Sequence, residues 1–228
     1  MEEKRNFDLL TLGQVLLRLS PPNNDRLVRG DTFVKQVGGA ELNVAVGVAL
    51  LGLRTGVISK LPSHDMGSFM KGKIRSYGVS DDFFMYDDSP SARVGIYYYE
   101  NGAYPRKPKV IYDRANSSFY SLKIDEIPEK AYTASRCFHT SGITLALSPK
   151  VRETTIEMIK RFKAQGVIIS FDVNFRGNLW TGDEARECIL RILPYVDIFF
   201  CSEDTARLTF LKTGTAREMM KSFTEEFP

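Results

Sequence analysis

The sequence predicts an α/β fold: a parallel sheet covered by helices, with a small antiparallel sheet set off from it. Three observations predict this. Strand-like apolar runs alternate with amphipathic helical runs along most of the chain, the rhythm of β-α-β units. The run FDLLTLG is mostly apolar and VIISFDVN nearly so, as strands buried on both faces are. Between residues 82 and 114 the rhythm stops, and strand-like runs follow one another with no helix between them.

In order along the chain, FDLLTLG is a strand ending at Gly13, and VLLRLSPP is a candidate strand of the small sheet. KQVGGAELNVAVGVALLGL then puts two glycines before an apolar helical run. Gly38 and Gly39 allow positive φ or tight packing at a loop-to-helix junction. They equally suit a ligand pressed against the bare backbone, with orphan N–H groups at the helix start. TGVISKL is the next strand. DMGSFMKGKIRSYGV carries Met66, Phe69, Met70, Ile74 and Tyr77 on one helical stripe and stops at Gly78, a C′ glycine.

DDFFMYDD, SARVGIYYYE and KVIYDR are the strands of the helix-free region, with the turn NGAYPRKP between the last two. Tyr97, Tyr98 and Tyr99 therefore alternate between opposite faces. RCFHTSGI is a strand. SPKVRETTIEMIKRFKAQG is a helix with Ser148 as N-cap, Pro149 at its first position and Gly166 just past its end. VIISFDVN is a strand, GDEARECILRILPYV a helix, VDIFFCS a strand and EDTARLTFL a helix. TAREMMKSFTEEFP starts another helix with no closing strand after it, so the core is expected to be incomplete on its C-terminal side.

Composition narrows the function classes. Hydrophobic content of 43% and charged content of 26% are those of a globular domain with a full core. Net charge is +3, with 31 basic and 28 acidic residues interspersed and no dense Lys/Arg run, which argues against a nucleic-acid partner. Cys137, Cys188 and Cys201 are widely spaced and joined by only His64 and His139, so neither a zinc site nor a disulfide framework is expected. The first residues lack a leader cleavage site, and the apolar run VAVGVALLGL is about half of what a membrane span needs. A cytoplasmic protein with no membrane partner is expected.

Three stretches could carry chemistry. GSFMKGKI approaches a phosphate-binding loop, but Ile74 stands where the hydroxyl belongs, and the stretch falls inside a helical pattern. FDVNFRGNLW follows a strand directly, and ligands of parallel sheets bind at the strands' carboxyl ends. There Asn174 and the planar guanidinium of Arg176 suit a carboxylate or phosphate; alternatively Asp172 and Arg176 pair with each other or cap the loop. In VIYDRANSS, Tyr112 and Arg114 share one strand face and could hold an anionic small molecule, or could be an exposed face with a solvated arginine.

GGAELNVAVGVALLG, YDRANS, HTSGITLALSP and DVNFRGNLW, in this order, resemble the ribokinase-like (pfkB) carbohydrate kinases, and among them the 2-keto-3-deoxygluconate kinases. The likeness runs over essentially the whole chain. It implies a single domain over residues 1–228 with a Rossmann-type core and a β-sheet lid from residues of about 15–37 and 82–114. It implies a sugar-acid substrate phosphorylated at its terminal hydroxyl with ATP and Mg2+, and a homodimer formed through the lid. By the same resemblance Gly39, Asn43, Tyr97, Tyr112, Arg114, Ile143 and Arg176 bind the sugar, with Arg114 toward its carboxylate. Asn174, Arg176, Ser202 and Glu203 lie on the nucleotide side.

The chain also departs from the family pattern. Pro62 stands where the first signature has glycine, Thr205 where a glutamate helps organise Mg2+ and phosphates, and Gln14 where glutamate is common. The glycine-alanine-glycine-aspartate loop, whose aspartate serves relatives as the base, is not found in these 228 residues. No catalytic residue is therefore assigned. A sugar-acid-binding chain without turnover, a remnant that pairs with a partner through its lid, or a chain left poorly folded by an open sheet edge is the alternative expectation.

Overall fold

The computed structural model describes residues 5–227; residues 1–4, the charged opening of the first predicted segment, and residue 228 lie outside the described residues. The chain forms β1 (Phe7–Leu12), β2 (Leu16–Ser20), β3 (Val34–Gly38), α1 (Ala40–Leu50), β4 (Thr55–Pro62), α2 (Asp65–Ser76), β5 (Val79–Ser80), β6 (Phe84–Asp87), β7 (Gly95–Glu100) and β8 (Lys109–Asp113). It continues with β9 (Ser135–Ser141), α3 (Gly142–Ala146), α4 (Pro149–Ala164), β10 (Ile168–Asp172), α5 (Gly182–Leu190), β11 (Ile198–Phe200), α6 (Glu203–Phe210) and α7 (Ala216–Glu226).

The main sheet runs β11-β10-β9-β1-β4-β5, with every pairing parallel. One face packs on α4: Leu10 and Leu12 of β1, Phe138 of β9 and Phe171 of β10 join Phe162 in the larger core. A second core gathers Val57 and Leu61 of β4 with Leu42 of α1 and with Met70 and Ile74 of α2. The predicted caps form: Ser148 accepts from the Val151 N–H at the start of α4, and Gly78 and Gly166 adopt φ of 77° and 65° after α2 and α4. GSFMKGKI lies within α2, which excludes it as a phosphate loop. The three cysteines are free, and burial pushes their thiols up, Cys201 to about 12.

Three features differ from expectation. The small sheet, β3-β2-β7-β8, is mixed rather than antiparallel: the hairpin pairs β2–β3 and β7–β8 are antiparallel, but β2–β7 is parallel. The chain passes back through the main sheet between β2 and β7, so both strands leave the core in the same direction, and only the hairpins reverse. DDFFMYDD does not join this sheet. Its strand β6 pairs with the second half of β4 while β5 pairs with the first, because the connection from β5 is too short to reach the lid. The strand within VIISFDVN is buried at Ile169, Ser170 and Phe171, but Ile168 at its start is 47% exposed and Phe200 on neighbouring β11 is 54% exposed. The outer edge of β11 has no partner strand among the described residues.

His139 on β9 is buried, with Nδ1 2.9 Å from the Ser170 hydroxyl of β10. Burial pushes its pKa down to about 4, so the folded chain holds it neutral where the unfolded chain takes up a proton. That stabilisation is present above the ordinary histidine range and is lost as pH falls toward 4. Urea denaturation at pH 7 and pH 5 should show a stability loss of about 2 kcal/mol that His139→Gln removes.

Candidate functional site

The carboxyl ends of β1 and β9 lie side by side, β10 ends next to β9, and the mixed sheet stands over them. Between sheet and lid is a cavity of about 260 Å3. Its wall brings together Gly39, Asn43, Tyr97, Tyr112, Arg114, Ile143 and Arg176, along with Gln14, Glu41, Tyr99 and Asn178.

The paired glycines form the junction of β3 and α1. A side chain at Gly38 would place its Cβ 2.5 Å from the Tyr97 hydroxyl, and one at Gly39 would stand 2.7 Å from the Gln14 carbonyl oxygen. Gly39 also has φ of 151°, where a side chain is strained. The bare backbone thus makes room first for two groups of the protein itself. No side chain caps α1, which leaves the N–H groups of its first turn beside the cavity. Gly39→Ala should destabilise the fold by about 2 kcal/mol and distort this wall; an unchanged melting temperature would contradict that.

Register sets the lid side. Tyr97 of β7 lies opposite Tyr112 of β8, and their ring centroids are 6.0 Å apart. Period-two alternation puts Tyr99 on the same face and turns Tyr98 away toward Phe33. Arg114 follows β8, with its guanidinium 5.6 Å from the Tyr112 ring centre. Its Nε donates to the Gln14 Oε1 at 2.7 Å, while the Gln14 amide nitrogen donates to the Arg114 carbonyl and to the Ser117 hydroxyl. Gln14 is only 3% exposed, so this arrangement holds Arg114 firmly. Burial lowers the arginine's pKa below its usual value and raises those of Tyr97 and Glu41.

Arg176 reaches the cavity from the loop after β10 and donates to the Phe175 carbonyl. It does not pair with Asp172, whose Oδ1 instead accepts from the Asn174 N–H and caps the turn. Neither Arg114 nor Arg176 is ion-paired among the described residues.

Three predicted residues lie outside this cavity. Asn174 sits in the turn after β10 with φ of 37°. Ser202 is the N-cap of α6: its hydroxyl oxygen accepts from the Thr205 N–H and its hydroxyl donates to the Thr205 side-chain oxygen. Glu203 borders a separate apolar cavity between β11, α6 and α7. Pro62 ends β4, and its carbonyl fills the space where a side chain at Gly67 would stand. Among the described residues, no group of three or more His, Cys, Asp or Glu is placed to hold a metal.

Gln14, Glu41, Tyr99 and Asn178 line the cavity and were not assigned from the sequence. Gln14 follows the carboxyl end of β1, a position where parallel sheets bind ligands, and that signal was available. Glu41 resembles an ordinary acidic residue in a helix's first turn, which is favourable at a helix start without any ligand.

A lidded, parallel-sheet α/β protein of the ribokinase-like type is what this fold and cavity define. The chain belongs to the pfkB family of carbohydrate kinases, which it matches over residues 6–226. A 2-dehydro-3-deoxygalactonokinase of Haloferax volcanii is 34% identical over 220 residues, covering 96% of this chain and 68% of that protein. A 5-dehydro-2-deoxygluconokinase of Listeria monocytogenes is 31% identical, covering 96% and 67%. The crystal structure of the Thermotoga maritima 2-dehydro-3-deoxygluconokinase superposes with a TM-score of 0.88 at 34% identity, covering 97% of this chain and 67% of that one. The chain thus spans about two thirds of the length of these relatives. No helix among the described residues is long and apolar enough to cross a membrane.

Proposed function

We propose that the chain forms the sugar-binding part of a kinase acting on a 2-keto-3-deoxy sugar acid such as 2-keto-3-deoxygluconate, with ATP phosphorylating its terminal hydroxyl. The observation that carries this reading is the pair of guanidinium groups, Arg114 and Arg176, with no carboxylate partner, facing one cavity with the phenols of Tyr97 and Tyr112 and the amide of Asn43. Phenols and an amide suit sugar hydroxyls, and an unpaired guanidinium suits a carboxylate. Relatives that are similar over nearly the whole chain are named for 2-dehydro-3-deoxy sugar-acid substrates, which supports the same class.

In this reading Gly39 and Asn43 face the sugar from the α1 start, Ile143 packs against its carbon face, and Arg114 takes the carboxylate. Asn174 and Arg176, with Ser202 and Glu203 further along, belong to the nucleotide side. Mg2+ would come with the nucleotide phosphates, which usually supply much of its coordination. Positioning and charge stabilisation dominate phosphoryl transfer, and this chain's share is to orient the acceptor sugar.

A second copy of the chain over the lid belongs to the same proposal. The lid face turned from the cavity exposes Phe33 and Ile111 at 46% and 44%, and light scattering tests for the dimer. The substrate test is isothermal titration with 2-keto-3-deoxygluconate and with fructose. The acid should bind at least about tenfold more tightly, a difference of about 1.4 kcal/mol. Equal affinities would overturn the reading.

A further inference from the structure

Glu41 is the one acidic side chain on the cavity wall among the described residues, and it is 2% exposed. A glutamate in the first turn of a helix ordinarily turns to solvent; this one turns inward. Its Oε1 accepts hydrogen bonds from the Ser141 hydroxyl and from the Thr144 hydroxyl at 2.8 Å. Its other oxygen lies against Gly13, where a side-chain Cβ would stand 2.2 Å away. One carboxyl thereby touches the segment after β1, the end of β9 and the start of α3 while belonging to α1. A leucine would fill the same space without burying a polar group, so packing alone does not account for it.

We propose that Glu41 is a positioning residue of the pocket floor: as a hydrogen-bond acceptor it ties the helix start that presents Gly39 and Asn43 to the turn that presents Ile143. Both hydroxyl donors come from the strand-to-helix turn that carries Ile143, and Ser141 also accepts from the Ile143 N–H at 3.2 Å. The spacing of the two halves of the floor therefore runs through a single carboxyl. The charged groups facing it from the lid and from the loop after β10 are Arg114 and Arg176, and neither is bonded to it. Burial raises the pKa of Glu41, against the hydrogen bonds from Ser141 and Thr144 and the nearby charge of Arg114, which lower it.

The binding arm rests on the sugar-acid reading above; the exchange arm does not. Glu41→Ala and Glu41→Gln are compared with the unmodified chain by calorimetric titration of 2-keto-3-deoxygluconate and by hydrogen–deuterium exchange. Glu41→Ala should weaken binding about tenfold or more and speed exchange both in residues 40–43 and in residues 141–146. Glu41→Gln keeps an acceptor oxygen and should restore slow exchange and affinity to within about threefold. A Glu41→Ala chain that binds and exchanges like the unmodified one overturns the proposal, as does a Glu41→Gln chain as impaired as Glu41→Ala. If Glu41→Ala fails to melt cooperatively, the Ser141→Ala/Thr144→Val double variant takes its place, removing both donors and leaving the carboxyl, with the same outcomes deciding. An unmodified chain that binds no sugar acid overturns the functional reading instead, and exchange alone then decides the role of Glu41.

Discussion

Arg114→Ala is expected to weaken binding of 2-keto-3-deoxygluconate by about 150-fold, or about 3 kcal/mol, and binding of fructose by less than about threefold. The asymmetry follows from how the side chain is held. Gln14 takes Nε and leaves the terminal nitrogens of the guanidinium for a ligand. The site is half-buried and no carboxylate of the protein is ion-paired with Arg114, so a ligand carboxylate there is screened little by water. A neutral sugar makes no such contact and loses only packing. Titration of both ligands against both chains checks this, and comparable losses for acid and neutral sugar would show that Arg114 is not the carboxylate receptor.

Phe138→Ala is expected to destabilise the fold by about 4 kcal/mol and to lower the melting temperature by about 10 °C. Phe138 is fully buried at the centre of β9, and its ring stacks on Phe162 of α4 with centroids 4.1 Å apart and planes 14° apart. Phe162 in turn meets Tyr132 edge-on. Deleting the ring leaves a cavity at the junction of sheet and helix that neighbours pinned on both sides cannot close. The effect reaches the site, because β9 lies between β1 and β10 and the ends of these strands lead into the cavity wall. Thermal melts and ligand titration on the same variant measure both consequences. A loss below about 1 kcal/mol would mean that the core refills more easily than its packing indicates.

The parts of the fold most legible in the sequence were those set by local chemistry. Ser148, Pro149 and Gly166 bracket α4 because caps and φ preferences act within a few residues. The apolar run of β1 announced a buried strand, β4 and β9 were legible as strands, and Tyr97 and Tyr99 fell on one face by simple alternation. Ile168 was misread as buried, because an apolar residue in a strand says nothing of whether a helix covers that face. The short helix α3 after Ser141 was not anticipated either, since its five residues lie fully buried and carry no amphipathic pattern.

By itself, the sequence determined the order of most strands and helices, the caps of α2 and α4, and four separated motifs that mark one family. Tertiary structure decided which strands pair: β6 with β4, and β2 in parallel with β7. It also decided what completes the cavity. Gln14 meets Arg114, and Glu41 meets Ser141, each across 100 residues of chain. Local propensity acts over a turn or a strand, whereas such contacts exist only once distant segments are packed side by side, so no short stretch of residues encodes them.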